Sequence, residues 1–247
     1  MFRHEGPSRS PRKNAQLAGC LAFVAGYVNS GGFVLIGSFT SHVTGNLGRL
    51  GNDVALGNPT AALFAGFMVV AFFVGGFVSS LVLESLARVN VPRAYGIALA
   101  LEGTLLLAFI FIAGLGRATL PRVLDAEGAV LSAAMGVQNA LVTRLSGAVV
   151  RTTHLTGVVT DLSIEIARWY RWRTVGVEDG PPSKRDVARS ALGKITLLAI
   201  IVTAFVSGSV LGALLTFRIS RWAMFAPAGG VFLASAYAFY PRRSQQD

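Results

Sequence analysis

An all-α integral membrane protein is the fold class this sequence predicts, with about six transmembrane helices as two inverted three-span repeats, each carrying a polar re-entrant or interfacial half-helix. Three observations lead there. Of the 247 residues, 53% are hydrophobic and only 14% are charged, a composition too apolar and too charge-poor for a soluble domain. Apolar runs recur at lengths that cross a bilayer. A set of polar motifs also recurs in the same order about 110 residues further on, the mark of an internal repeat.

A helix crossing about 30 Å of hydrocarbon needs roughly 20 mostly apolar residues, because an unpaired backbone group is costly in lipid. Six stretches meet that length: Ala15 to Gly37, Thr60 to Leu83, Ala94 to Leu115, Gly128 to Val150, Ile195 to Phe217 and Trp222 to Tyr240. The basic segment 1–14 resembles the start of a signal peptide, but the uncharged run that follows is too long for one, which predicts a retained first span. The chain reads as one membrane domain: the basic N-terminus 1–14, a first repeat 15–118, a second repeat 126–241, and a loop 170–194 around Asp179-Gly180-Pro181-Pro182.

The formal charge of +10 follows from arginines in the short segments between apolar runs, so membrane orientation accounts for it and nucleic acid is not an expected partner. With six spans, both termini and the segments 88–93 and 151–194 share one side and hold most of the Lys and Arg, which makes that side cytoplasmic. The single cysteine, Cys20, excludes an intrachain disulfide and a CxxC metal site. No metal or cofactor is expected.

The repeat is read from Gly26-Tyr27-Val28-Asn29 followed by Ser41-His42-Val43-Thr44-Gly45-Asn46, and from Gly136-Val137-Gln138-Asn139 followed by Thr153-His154-Leu155-Thr156-Gly157-Val158. A later match pairs Phe73-Val74-Gly75-Gly76 with Phe205-Val206-Ser207-Gly208. Three spans per repeat make the halves enter the membrane from opposite faces, an arrangement common in secondary transporters. Four would make them parallel, so the parity depends on whether 42–56 and 154–169 cross. The first is short, carries Asn46, Arg49, Asn52 and Asp53, and ends at Asn58-Pro59, which favours a half-helix in both copies.

On these residues the sequence resembles the YoaK-like bacterial membrane proteins, domain of unknown function 1275. The likeness rests on Ser41-His42-Val43-Thr44-Gly45-Asn46 after a glycine-rich first span, on Thr153-His154-Leu155-Thr156-Gly157, and on the Gly/Ser-rich helix that follows. It covers nearly the whole chain. The resemblance implies a multi-pass protein of a bacterial inner membrane and no particular substrate. Val158 stands where the first copy has Asn46, so the two sites are not equivalent.

Polar groups kept within lipid-spanning segments face protein, water or a ligand. His42, Thr44 and Asn46 supply an imidazole, a hydroxyl and an amide, and Gly45 allows a close approach; His154, Thr156 and Gly157 repeat most of the set. Each histidine and threonine either caps a helix or contacts a solute at a half-helix N-terminus. Asn29 and Asn139 occupy matching places in the first span of each half, where they either bond across the repeat interface or line a path. Glu102 lies well inside the third span, where a carboxylate costs about 2.5–3.5 kcal/mol unless paired or protonated; it either bonds a neighbouring helix or couples a proton or cation. Asp161 and Glu165 share a helical face and repel unless Arg144 or Arg168 neutralises one, whereas Arg49 and Asp53 make a local ion pair.

The small residues of Gly75-x-x-x-Ser79, Gly76-x-x-x-Ser80 and Gly208-x-x-x-Gly212 let helices approach closely and also permit a homodimer. The function expected is a small secondary transporter or channel-like permease for an unidentified solute or ion, its path between two rocking halves. A non-catalytic scaffold or assembly protein is the alternative. An intramembrane enzyme is disfavoured: His42 and Asp53 are separated by about three helical turns, roughly 16 Å, and HExxH, GxSxG and a cysteine nucleophile pattern are absent.

Overall fold

The computed structural model describes residues 11–113, 121–145, 155–174 and 184–240. Among them the structure is entirely helical. It comprises α1 (Pro11–Ile36), α2 (Val43–Ala55), α3 (Pro59–Leu86), α4 (Val91–Ile112), α5 (Pro121–Leu145), α6 (Leu155–Thr174), α7 (Lys184–Ile219) and α8 (Phe225–Phe239), with a 3₁₀ turn, Ser220–Met224, between the last two.

Helix ends follow local sequence. Gly37 and Gly57 take left-handed backbone, with φ of 70° and 69°, and so stop α1 and α2 where a side chain would be strained. Asn58 caps α3 by accepting from the Ala61 amide at 3.3 Å, and Asn90 caps α4 by accepting from the Arg93 amide at 3.0 Å. Each has a proline in the first turn of the helix it starts, where the missing N–H is not needed.

Four helical stretches are long and apolar enough to cross a membrane: Ala15–Ile36, Pro59–Leu86, Val91–Ile112 and the bent run Ser190–Phe239. The last contains two of the six stretches expected from sequence. α5, the remaining one, is less apolar because it carries Gln138, Asn139 and Arg144, yet Leu131, Ser132, Ala134, Met135, Val137 and Gln138 on it are completely buried. It is the helix most enclosed by protein, so it has less need of lipid-compatible side chains. By contrast α3 and α7 present Leu63, Phe67, Val70, Val206, Val210 and Leu214 outward. Such a continuous apolar exterior suits hydrocarbon rather than water, and the chain is a multi-pass membrane protein. The expected loop 170–194 is helical at both ends, since α6 continues to Thr174 and α7 begins at Lys184; the Arg-, Lys- and Ala-rich flanks are good helix formers outside the apolar layer.

The packing joins distant parts of the chain. α1 lies along α7, and α3 along α5. Both seams are glycine-lined. A methyl group at Gly208 would overlap the Phe23 carbonyl, one at Gly212 the Tyr27 carbonyl, and one at Gly26 the Phe205 carbonyl. In the other seam a methyl at Gly75 would overlap the Ala133 carbonyl, and one at Gly136 the Phe72 carbonyl. Backbones therefore meet directly, as small residues allow in membrane helices. Residue numbers rise together along each seam, so each pair runs parallel. α1 and α5 run antiparallel, since Gln138 donates to the Leu21 carbonyl at 2.7 Å while Gly32 lies against Leu131. α4 and α8 are also antiparallel, with Gly96 against Phe239 and Gly103 against Phe232.

These contacts correct one detail of the repeat. Gly75 occupies against α5 the place that Gly208 occupies against α1, and Phe72 corresponds to Phe205, so the match based on Phe73 is one residue out of register. Consecutive glycines at 75 and 76 made the two registers look alike.

Candidate functional site

The turn between α1 and α2 folds back beside its own helix. Asn29, buried and about two turns before the end of α1, accepts through Oδ1 from the Ser41 amide at 3.1 Å and the Ser41 hydroxyl at 2.9 Å. Asn46 in α2 holds the same turn from the other side: its Oδ1 accepts from Ser38 at 3.1 Å and its Nδ2 donates to the Phe39 carbonyl at 3.2 Å. The N-terminus of α2 is thus drawn back alongside the body of α1 rather than beginning at its tip.

His42 is the residue before α2 and makes no capping hydrogen bond. Its ring lies across Gly45, where a methyl group would overlap it, and meets the Phe39 ring edge-on at a centroid distance of 6.4 Å. Gly45 therefore leaves room for the imidazole.

A cavity of about 780 Å³ lies at this point, lined by Ser41, His42, Val43 and Thr44 from the first motif and by Leu155, Thr156 and Gly157 from the second. Its walls are Val69, Phe72, Phe73, Gly76, Phe77 and Ser80 of α3, with Ala140 of α5. Of the sequence-predicted residues, His42, Thr44, Thr156 and Gly157 come together here. Asn29 and Asn46 use their hydrogen bonds on the turn beneath. Asn139 is half-buried beside Ala140. His154 lies outside the described residues.

Glu102 is elsewhere, on α4. It is fully buried, and among the described residues neither carboxylate oxygen has a hydrogen-bond partner. Asp53, Glu84 and Glu165 are paired. Arg49 meets Asp53 at 3.4 Å. Glu165, whose side chain is 10% exposed, holds Arg168 at 3.1 Å and Lys194 of α7 at 3.3 Å; Asp161 on the same helix is exposed. Arg144 instead contacts Glu84, tying the ends of α5 and α3. Among the described residues no three His, Cys, Asp and Glu side chains group closely enough to hold a metal ion.

The wall residues Phe72 and Phe77 were not singled out from sequence, where they read as an ordinary apolar span, and Phe73 and Ser80 entered only through the repeat match and a small-residue spacing. The one signal was the spacing Gly76-x-x-x-Ser80, a small and polar face among phenylalanines.

The family model for the protein of unknown function DUF1275 matches residues 17–237. The chain belongs to that family. The match runs from within α1 to within α8 and covers both motifs and the cavity walls. No curated protein and no solved structure matches the chain.

Proposed function

We propose that this DUF1275 member is a small secondary transporter or channel-like permease of the inner membrane, its solute bound in the cavity where the two half-helix N-termini meet. The observation that carries this reading is that the two sequence-related polar segments, Ser41-His42-Val43-Thr44 and Leu155-Thr156-Gly157, line one cavity. The cavity is partly open, with His42, Thr44, Phe73 and Thr156 exposed at its rim, and in a membrane protein polar side chains gathered around such a space are kept for a ligand or path.

Six spans fit the helices α1, α3, α4, α5, α7 and α8, with α2 and α6 as half-helices that start at the cavity. The antiparallel crossing of α1 and α5, the first helices of the two repeats, supports inverted topology. The Lys and Arg distribution orients both termini to the cytoplasm. The rigid bodies in this reading are the seamed pairs α1 with α7 and α3 with α5, each drawn from both repeats, because backbones locked in direct contact cannot separate as two rocking halves would require.

The cavity walls also limit the solute. Among the described residues no Asp, Glu, Lys or Arg lines it, while three phenylalanines and the hydroxyls of Ser41, Thr44, Ser80 and Thr156 do. That chemistry suits a small molecule with an apolar body and a hydrogen-bonding head. Glu102, buried outside the cavity, is the carboxylate available for coupling to a proton or cation.

The test is uptake by the purified full chain in liposomes, screened over small amphiphilic solutes under proton and sodium gradients. His42→Ala and Thr156→Ala should each lower uptake at least several-fold. The reading fails if wild-type protein moves no solute under any gradient, or if both variants transport like wild type.

A further inference from the structure

The two seams repeat each other contact by contact. Gly208 against the Phe23 carbonyl matches Gly75 against the Ala133 carbonyl, and Gly26 against the Phe205 carbonyl matches Gly136 against the Phe72 carbonyl. One turn further on, Gly212 against Tyr27 matches Ser79, whose hydroxyl donates to the Val137 carbonyl at 3.2 Å. Ser209 donates to the Gly26 carbonyl at 3.3 Å, where the other seam sets Gly76 beside the Gly136 carbonyl. The equivalence of α1 with α5 and of α7 with α3 is therefore fixed residue by residue.

The cavity does not obey that equivalence, since its walls belong to the α3 seam alone. Carried across, Val69, Phe72, Phe73, Gly76, Phe77 and Ser80 become Val202, Phe205, Val206, Ser209, Val210 and Ala213. The apolar character is preserved, with valine for valine, phenylalanine for phenylalanine, two further apolar walls and small residues at the other two places, while the hydroxyl of Ser80 has no counterpart at Ala213. The walls of the present cavity run from Val69, before the midpoint of α3, to Ser80 in its C-terminal half, and their counterparts run the same way along α7. Because α3 and α7 run in opposite directions, the C-terminal ends of the two sets lie toward opposite faces of the membrane.

We propose that the protein forms a second cavity on the α1–α7 seam, walled by Val202, Phe205, Val206, Ser209 and Val210, sharing the α2 and α6 N-termini and taking the same apolar-bodied solute from the opposite face. This rests on the transport reading above and gives it its second state. A ligand that binds both states draws on whichever is populated, and the solute crosses as the equilibrium shifts. Val206 and Val210 are more than half exposed on the outer surface of α7, where a thiol in lipid is inert to a water-soluble reagent. Reaction there needs water, and so reports the second cavity.

The experiment uses the full chain with Cys20→Ser, in right-side-out and inverted membrane vesicles, and a membrane-impermeant maleimide. Phe73→Cys and Val206→Cys form one pair, with Phe77→Cys and Val210→Cys as a second pair should either variant fail to accumulate. The expected result is labelling of position 73 or 77 from one face and of 206 or 210 from the other. Labelling of 206 and 210 from neither face, or only from the face that labels 73 and 77, overturns the proposal. Liposome uptake of a solute with 206 and 210 unlabelled would keep the channel-like form of the function and remove the second cavity. Opposite-face labelling without uptake would keep the second cavity and remove the transport assignment.

Discussion

Asn29 accepts from both the amide and the hydroxyl of Ser41 through a single side-chain oxygen, and this fork holds the start of α2 against the middle of α1. Asn29→Ala leaves a buried amide without its partner, which costs about 1–3 kcal/mol. Ser41→Ala removes only the hydroxyl bond and should cost about 1 kcal/mol. Thermal unfolding of the two variants in detergent is expected to rank them in that order; equal melting temperatures would contradict the fork.

The seams predict sharp differences among glycines. At Gly136 and Gly208 any side chain overlaps a backbone carbonyl, which neighbouring side chains cannot relieve by moving. Gly136→Val and Gly208→Val should each destabilise by more than the ~1–3 kcal/mol typical of overpacking and abolish a monodisperse peak in gel filtration. Nothing lies within 4 Å of a methyl group at Gly48 or Gly229. Alanine there removes unfolded-chain freedom and should stabilise by a few tenths of a kcal/mol up to about 1 kcal/mol.

Glu165 joins α6 to α7 through Lys194 while also holding Arg168. Lys194 is 60% exposed, so Lys194→Ala should cost no more than about 1 kcal/mol. Glu165→Ala removes the centre of the network, and its effect should combine with that of Lys194→Ala in a less than additive way. Additive losses in a double-mutant cycle would show that the two side chains act independently.

Glu102 has neither oxygen bonded among the described residues, so no hydrogen bond there offsets the burial of its carboxyl group. Glu102→Gln should unfold at the same temperature as wild type or higher, because an isosteric amide avoids burying a charge. In liposomes the same variant is expected to keep downhill exchange and lose gradient-driven accumulation. A variant that accumulates solute normally would remove Glu102 from coupling.

The sequence made the multi-pass membrane character legible because composition carries it, and His42, Thr44 and Asn29 are conspicuous against that apolar background. Helix starts at Asn58 and Asn90 rest on local caps, whereas apolar length alone set those spans to begin at Thr60 and Ala94. The partner of each helix was not legible. That α1 lies on α7 and α3 on α5 depends on which glycine faces meet, and Gly75, Gly76, Gly208 and Gly212 advertise close packing without naming a partner. The cavity walls were hidden for a related reason. Phe73 and Phe77 look alike whether they face lipid or a solute, and only the placement of α2 and α6 beside them separates the two roles.

The pairing of α1 with α7 also bears on biogenesis. A ribosome releases α1 long before the helix that covers its glycine stripe exists, and α3 and α5 can close on each other first. Until residues past 184 emerge, Gly26 and the backbone beside it have no covering helix, so nascent chains cut short before α7 should be preferred targets of membrane quality-control proteases.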